Sequence, residues 1–193
     1  MTNRYSMLSD LQKEKISHYF RVVLDQDRNG VLEVNDFREI GESLCLLWMF
    51  KPDSEEYNNV IDQSIKSWKM FQKYFEKQGG EANEAHFLEF FEDMLEPGNE
   101  QLYKSWVIHM ISSIFDSFDV NNDGVISVNE YSDMFMCYHI PIRHSAKAFV
   151  KLDRDGDDFI TKKELLRAVD EFFRSNDERA PGNWLFGFWA DKD

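Results

Sequence analysis

The chain lacks most of the features that mark extracellular, membrane-spanning or nucleic-acid-binding proteins. Its 193 residues include two cysteines, Cys45 and Cys137, which are too few for a disulfide framework. The longest apolar run, residues 44–50, is much too short to span a bilayer. With 22 basic and 36 acidic residues, the formal net charge is −14. That charge argues against binding to nucleic acids and to anionic membranes, both of which need basic surfaces.

The first residues of the sequence also lack targeting signals. Residues 1–5 contain no apolar stretch of the kind found in a signal peptide, and Thr2 stands where N-myristoylation requires glycine. We expect the two thiols to be reduced. Together these observations predict a soluble, cytoplasmic protein without stable membrane insertion.

No arrangement typical of a catalytic centre is present in the sequence. The five histidines show no zinc-binding spacing such as H-E-x-x-H. There is no G-x-S-x-G sequence, no phosphate-binding P-loop and no glycine-rich dinucleotide turn. We therefore predict no enzymatic activity, no catalytic residues and no organic cofactor.

What the chain does contain is one loop pattern that occurs three times. The copies, named hand 1, hand 3 and hand 4, span residues 25–36 (DQDRNGVLEVND), 119–130 (DVNNDGVISVNE) and 153–164 (DRDGDDFITKKE). Each has oxygen-bearing side chains at loop positions 1, 3 and 5, an apolar residue at position 8 and a carboxylate at position 12. Because hard oxygen ligands at this spacing converge on a hard cation, the pattern predicts three EF-hand calcium sites.

The same pattern assigns the ligands of each loop. Side chains at positions 1, 3, 5 and 12 bind directly, the carbonyl at position 7 binds through its oxygen, and position 9 binds directly or through water. The predicted ligands of hand 1 are Asp25, Asp27, Asn29, the Val31 carbonyl, Glu33 and Asp36. Those of hand 3 are Asp119, Asn121, Asp123, the Val125 carbonyl, a water held by Ser127, and Glu130. Those of hand 4 are Asp153, Asp155, Asp157, the Phe159 carbonyl, a water near Thr161, and Glu164.

The three loops differ at positions that affect ion binding. At position 6 the backbone usually needs a positive φ angle; hand 3 has Gly124 there, whereas hand 4 has Asp158, at an expected cost on the order of 1 kcal/mol. Hand 1 ends in Asp36, which is one methylene shorter than glutamate and favours contact through one oxygen. Coordination near six suits Mg²⁺, so we predict that Mg²⁺ competes with Ca²⁺ at hand 1. The alternative, that hand 1 binds no ion, stays open.

The apolar spacing between the loops predicts an all-α protein with four EF-hands in two pairs. EF-hands pair through a short antiparallel contact at positions 7 to 9, so hand 1 needs a partner. The aromatic spacing around residues 75–86 matches that around hand 3 and predicts a silent hand 2, with Phe75, Lys77, Gly79 and His86 at ligand positions. The alternative is an ordinary helix–loop–helix. We predict one pair of hands in residues 1–97 and a second pair in residues 98–175.

The C-terminal tail, residues 176–193, is too apolar to remain free in solvent. It contains Trp184, Leu185, Phe186, Phe188 and Trp189. We predict that it packs on the two pairs of hands and covers their junction. The alternative is a segment that docks on a partner or touches a membrane.

Several of these features together resemble one protein family. The silent second hand, the break at Ile140 and Pro141 between hands 3 and 4, and the tail sequence FFRSNDERAPGNWLFG are similar to the invertebrate sarcoplasmic calcium-binding proteins. The tail is most similar to the calexcitin-like members. The resemblance implies a compact, two-lobed, monomeric buffer in which Ca²⁺ and Mg²⁺ compete, and the calexcitin likeness adds a signalling role.

Two other functions remain open from the sequence. One is a calcium sensor that docks on a target protein, although 17 phenylalanines predict a rigid core rather than an adaptable methionine-rich groove. The other is a luciferin-binding protein or photoprotein, whose fold is similar to that of the family. Photoproteins carry a histidine in the helix that leaves the last hand, whereas residues 162–173 contain none.

Overall fold

The computed structural model describes residues 7–78 and 81–190, without the side chains of residues 77 and 78. The described chain is mainly helical, as predicted, with two short strands. Its elements are α1 (Asp10–His18) continued by a π-helical segment (Tyr19–Leu24), α2 (Val34–Leu47), α3 (Glu55–Gln78), α4 (Glu84–Leu95), α5 (Glu100–Phe118), β1 (Val125–Ser127), α6 (Val128–Cys137), a 3₁₀ turn (Ile142–His144), α7 (Ser145–Leu152), β2 (Phe159–Thr161), α8 (Lys162–Arg174) and a second 3₁₀ turn (Pro181–Trp184).

Hydroxyl residues inside the loops of hands 3 and 4 start the helices that follow. Ser127 accepts a hydrogen bond from the Glu130 N–H, and Thr161 accepts one from the Glu164 N–H. Each glutamate carboxylate in turn accepts from the N–H of its capping residue, which completes a capping box. The residue at position 12 therefore belongs both to the loop and to the first turn of the exiting helix.

The loops pair through short antiparallel contacts, as predicted. Strands β1 and β2 place position 7 of hand 3 opposite position 9 of hand 4, namely Val125 opposite Thr161. An isolated antiparallel bridge joins Val31 to Asn83, again position 7 to position 9, and the Leu32 N–H donates to the Ala82 carbonyl at 2.9 Å. Residues 81–83 thus have the register expected for hand 2, and the predicted arrangement of four hands in two pairs is confirmed.

Hand 2 offers no set of oxygen ligands in its described part. Phe75, at position 1, is buried with 2% of its surface exposed and packs in the core. His86, at position 12, has its ring Nδ1 against the Glu81 carbonyl. Gly79 and the side chain of Lys77 lie outside the described residues. An apolar ring and an imidazole cannot replace carboxylates in a calcium site.

The entry into hand 1 contains a feature that the sequence pattern did not predict. In hands 3 and 4 the first aspartate N–H bonds to a carbonyl four residues earlier, that of Phe115 or Phe149. In hand 1 the Asp25 N–H bonds to the Phe20 carbonyl, five residues earlier, at 2.9 Å. The π-helical segment thus accommodates one extra residue and lets Phe20 take the role of the other two phenylalanines.

One hydrophobic core extends across both pairs of hands. Phe91 of α4 stacks on Phe173 of α8 with ring centroids 4.8 Å apart and an interplanar angle of 7°. Trp106 of α5 packs edge-on against both rings, with centroid distances of 5.2 Å and 5.0 Å. Because the core is continuous through this stack, the division at residue 97 stays a prediction.

The tail packs against the body of the protein. Leu185 and Phe186 are buried, with 0% and 1% of their surfaces exposed. The Phe186 ring lies 4.8 Å from the Tyr19 ring and 5.2 Å from the Phe172 ring, between α8 and the segment that follows α1. The Tyr131 hydroxyl donates to the Leu185 carbonyl at 2.7 Å. The tail therefore contacts elements from both ends of the chain.

Among the described residues, no helix is both long enough and apolar enough to cross a membrane.

Candidate metal centres

The aspartate at position 1 organises each loop through backbone N–H groups. In hand 1, Asp25 accepts hydrogen bonds from the N–H groups of Asn29 and Gly30, at 3.1 Å and 3.0 Å. Asp119 accepts the equivalent two bonds in hand 3, from positions 5 and 6. In hand 4 Asp153 accepts from positions 4 and 6. These bonds turn the loop around the carboxylate at position 1, which is the arrangement that an encircled cation requires.

The side chain at position 5 fixes the next part of each loop. Asn29, Asp123 and Asp157 each accept a hydrogen bond from the N–H at position 7, at distances of 2.8 to 3.0 Å. That N–H belongs to the residue whose carbonyl is a predicted ligand, namely Val31, Val125 or Phe159. In hands 1 and 3 the predicted ligands at positions 1, 5 and 7 are thus linked by local hydrogen bonds, and in hand 4 those at positions 5 and 7 are.

The carboxylate at position 12 is held in the same way in all three loops. In hand 1, Asp36 accepts from the Gln26 N–H at 3.0 Å and from the Glu33 N–H at 2.7 Å, that is, from positions 2 and 9. In hand 3, Glu130 accepts from the corresponding N–H groups at 3.0 Å and 2.8 Å. In hand 4, Glu164 does so at 2.7 Å and 2.9 Å. Asp36 therefore makes both bonds despite its shorter side chain.

The groups at position 9 differ among the loops. The Ser127 and Thr161 hydroxyls donate to the glutamate carboxylates of their own loops, at 2.8 Å and 2.7 Å. Glu33 of hand 1 is exposed. Hand 1 thus has a fourth carboxylate available where hands 3 and 4 have a hydroxyl.

The carboxylates converge most closely in hands 1 and 4. Carboxylate oxygens of Asp25, Asp27 and Asp36 all lie within 4.8 Å of one another, and so do those of Asp153, Asp155 and Glu164. Asp157 of hand 4 lies outside that closest group. In hand 3 position 3 is an amide, and Asn121 Nδ2 donates to the Asp123 carboxylate at 2.7 Å. Hand 3 consequently gathers fewer negative charges than hands 1 and 4.

Electrostatics at these clusters favours a cation. Burial raises the pKa of Asp25, the Gly30 N–H lowers it, and the neighbouring Asp36 and Asp27 carboxylates raise it further. A divalent cation among these three carboxylates would relieve their mutual repulsion. Burial acts to raise the pKa of Glu164, but the Thr161 and Arg154 N–H groups and the Thr161 hydroxyl outweigh it, so the pKa is lowered. Glu164 is thereby kept ionised.

Two positions in each loop have left-handed backbone. At position 4 the φ angles are 59° for Arg28, 56° for Asn122 and 75° for Gly156. At position 6 they are 85° for Gly30, 86° for Gly124 and 66° for Asp158. Asp158 thus adopts the positive φ angle expected of it, while hand 4 has its glycine at position 4.

The hydrogen bonds from position 2 to the carboxylate at position 12 were not predicted from the sequence. Their donors are backbone N–H groups at position 2, and the residues there, Gln26, Val120 and Arg154, share no side-chain chemistry. The π-helical segment does have a sequence signal. Phe20 stands five residues before its loop, whereas Phe115 and Phe149 stand four residues before theirs.

A comparison with protein families bears directly on these loops. A family model described as EF hand matches residues 111–136 and 146–169, which contain the loops of hands 3 and 4. The segments that contain hands 3 and 4 are therefore EF-hands. No curated protein sequence matches it.

Solved structures share the fold of this chain at low sequence identity. The coelenterazine-binding protein of Renilla muelleri, in its calcium-loaded apo form, has a TM-score of 0.72 at 16% identity, over 93% of this chain and 99% of that one. A sarcoplasmic calcium-binding protein from amphioxus has a TM-score of 0.70 at 17% identity, over 93% and 98%. The photoprotein clytin has a TM-score of 0.65 at 18% identity, over 95% and 96%. The fold is therefore that of sarcoplasmic calcium-binding proteins and photoproteins.

Proposed function

We propose that this EF-hand protein binds about three divalent cations, at hands 1, 3 and 4, and acts as a calcium and magnesium buffer or signal modulator. The observation that carries the proposal is a set of hydrogen bonds to the carboxylate at position 12 that recurs in all three loops. In each of the three loops a carboxylate there accepts hydrogen bonds from the N–H groups at positions 2 and 9. The same side chain faces the carboxylate at position 1 in hands 1 and 4. Oxygen ligands held in this fixed arrangement suit a hard cation.

Hand 1 is the proposed site of competition between Ca²⁺ and Mg²⁺. Asp36 has 2% of its surface exposed, against 8% for Glu130 and for Glu164, so it lies deeper than its counterparts. Its shorter side chain supports contact with the ion through one oxygen. Coordination nearer six then follows, and Mg²⁺ accepts six ligands more readily than Ca²⁺ does.

A buffer is favoured over a sensor by the way the apolar surface is covered. A sensor needs an apolar groove that calcium can expose, typically lined by methionine. Here Leu185 and Phe186 of the tail are buried, and Phe91 and Phe173 stack between the two pairs of hands. Exposed methionines such as Met49, which follows α2, and Met136 on α6 lie on separate segments.

The photoprotein alternative would require a histidine in α8, the helix that leaves the last hand. Helix Lys162–Arg174 contains no histidine. We propose neither light emission nor another catalytic activity for this chain. Monomeric and cytoplasmic states are part of the buffer proposal.

Calorimetric titration with Ca²⁺, repeated in excess Mg²⁺, tests the proposal. The parent is expected to bind three Ca²⁺ ions, and Asp36→Asn, Glu130→Gln and Glu164→Gln are each expected to remove one. Asp62→Asn on the exposed face of α3 removes one carboxylate outside the loops and should leave the count unchanged. Excess Mg²⁺ should weaken mainly the site that Asp36→Asn abolishes. A count that no loop variant reduces would refute the assignment.

Binding to a phenyl matrix separates a buffer from a sensor. The buffer proposal expects weak retention that is equal with calcium and with chelator. Strong retention only with calcium would replace it with the sensor alternative.

A further inference from the structure

Arg154 connects the loop of hand 4 with α8, the helix on which the tail packs. It occupies position 2 of the loop, and its backbone N–H donates to the Glu164 carboxylate at 2.7 Å. Its guanidinium Nη2 donates to Glu171 Oε2 at 2.6 Å. The two side chains of this ion pair are 21% and 18% exposed, so water and salt screen it less than they screen a surface pair. One residue thus contacts a predicted ion ligand through its backbone and α8 through its side chain.

The Glu171 carboxylate also binds the tail. The oxygen that pairs with Arg154, Glu171 Oε2, accepts a hydrogen bond from the Gly182 N–H at 2.8 Å. The other oxygen, Oε1, accepts from Arg167 Nε at 3.0 Å. Burial acts to raise the pKa of Glu171, but the Gly182 N–H and the two arginines outweigh it, so the pKa is lowered. An ionised carboxylate therefore lies between the guanidinium of hand 4 and the backbone of the tail.

The tail approaches α8 closely at this point because residue 182 is glycine. A Cβ there would overlap the Ala168 carbonyl oxygen and the Glu171 Cβ, both on α8. Gly182 is buried, and so is the next residue, Asn183, whose Oδ1 accepts a hydrogen bond from Lys15. A single added methyl group is therefore enough to disturb the contact between the tail and Glu171.

A positive charge at position 2 of a cation-binding loop has to be held away from the ion ligands. Arg154 stands between two predicted ligands in the sequence, Asp153 and Asp155. A guanidinium released beside these carboxylates would pair with them and compete with a divalent cation. Glu171 supplies another carboxylate for the guanidinium, and the Gly182 N–H of the docked tail stabilises that carboxylate. Docking of the tail and cation binding at hand 4 therefore favour each other.

We propose that the tail regulates hand 4 through Arg154 and Glu171. With the tail docked on α8 the loop binds Ca²⁺ more tightly, and a bound ion in turn holds the tail more firmly. The two factors are equal, because coupling between two binding equilibria is reciprocal. The inference rests on the proposed function, since it requires an ion at hand 4. Arg154 is a positioning residue in this scheme and not an ion ligand.

Gly182→Ala tests the coupling without changing any charge. The test uses the full chain with Asp36→Asn and Glu130→Gln, in which hand 4 is the one predicted site that keeps its position-12 carboxylate. Calorimetric titration with Ca²⁺ then measures the affinity of hand 4 directly. Adding Gly182→Ala should weaken that affinity about threefold to tenfold, because the methyl group displaces the tail from Glu171. Equal affinities with and without Gly182→Ala in folded chains would overturn the proposal.

Two arginines provide a matched pair of backgrounds for this measurement. Arg154 and Arg167 both pair with Glu171, but Arg154 belongs to the loop of hand 4 and Arg167 to α8. In Arg154→Met, Gly182→Ala should no longer change the affinity of hand 4, because the guanidinium that transmits the displacement is gone. In Arg167→Met the loss should remain. The same loss in both backgrounds would overturn the role assigned to Arg154. Glu171→Gln replaces Gly182→Ala, with the same expected pattern, if the latter does not fold.

Hydrogen exchange of the tail, followed by mass spectrometry, measures the reciprocal effect. With Ca²⁺ the amides of residues 182–187 should exchange about threefold to tenfold more slowly than with chelator, both in the parent and in Glu130→Gln. In Glu164→Gln, Ca²⁺ should not slow them. Exchange that is independent of Ca²⁺ in a parent that binds an ion at hand 4 would overturn the coupling alone. A calorimetric count that Glu164→Gln does not reduce would instead refute cation binding at hand 4, and with it the coupling.

Discussion

Replacement of Lys15 by methionine tests how the two ends of the chain are joined. Lys15 lies on α1 with none of its surface exposed. Its Nζ donates to the Glu171 and Ser175 carbonyls, at 3.0 Å and 2.9 Å, and to Asn183 Oδ1 at 2.8 Å. A single ammonium group thus connects α1, the end of α8 and the tail.

Two opposing effects set the stability of Lys15→Met at neutral pH. Ser175 O and Asn183 Oδ1 would lose their donor, at about 1–3 kcal/mol each, while Glu171 O would keep the Ser175 N–H. In the other direction, burial lowers the pKa of Lys15 from 10.5 to about 8, and the nearby Glu171 carboxylate offsets only part of this. Removal of the buried ammonium group stabilises the Lys15→Met variant by up to about 2 kcal/mol, after allowance for solvent screening. The expected net change at neutral pH is therefore a loss of about 0–4 kcal/mol.

The dependence on pH is the informative quantity. Between about pH 8 and pH 10.5 the unfolded chain keeps a proton on Lys15 that the native protein has lost, so the free energy of unfolding of the parent rises with pH. This contribution is complete above the unfolded pKa and is lost as the pH falls through about 8. In Lys15→Met it is absent, so the stability difference between parent and variant should grow by about 2 kcal/mol between about pH 8 and pH 10.

Urea unfolding followed by circular dichroism at four pH values, with fixed calcium, measures this difference. Lys13→Met, on the same helix but only half-buried, is the control and should stay parallel to the parent. Measurements stop near pH 10, because tyrosines begin to ionise there in the unfolded chain and add their own pH dependence. Burial raises the pKa of four tyrosines in the folded protein: Tyr19, Tyr103, Tyr131 and Tyr138. Parallel curves for the parent and Lys15→Met would refute the reasoning.

Three further changes have defined expected results. Asp158→Gly should strengthen Ca²⁺ binding at hand 4 about fivefold by removing strain at a φ angle of 66°, whereas Asp158→Asn should not; calorimetry measures both, and equal affinities would exclude strain. Phe186→Ala should lower the free energy of unfolding by about 3–4 kcal/mol, and the half-buried Phe188→Ala by much less; similar losses in urea unfolding would contradict the packing described for the tail. Asp36→Glu should increase the preference of hand 1 for Ca²⁺ over Mg²⁺, and unchanged competition would show that the length of this side chain does not set selectivity.

The pairing of hands was predictable because it depends on spacing along the chain. Oxygen ligands at fixed positions identify hands 1, 3 and 4, and aromatic spacing alone located hand 2. The bridge between Val31 and Asn83 has the same register as Val125 and Thr161. Side-chain spacing is preserved in a local helix–loop–helix, so a single sequence is sufficient to find it.

Features that depend on contacts between distant segments were not predictable. The sequence shows that Lys15 is at a helical position, but burial of its ammonium group depends on three acceptors, all more than 150 residues away. The burial of the Trp48 indole N–H without an acceptor among the described residues depends equally on tertiary packing. The π-helical segment was missed for another reason, because the extra residue before hand 1 changes the helical period itself.

The hydrogen bond between Lys15 and Asn183 has a consequence for synthesis of the protein. Its partners are 168 residues apart, so α1 emerges from the ribosome long before the tail that completes its environment. Until the tail has been synthesised, Tyr19 lacks its packing contact with Phe186. Because loop closure over such a separation is slow compared with local helix formation, we expect the docking of the tail to be a late step of folding, after the helices have formed.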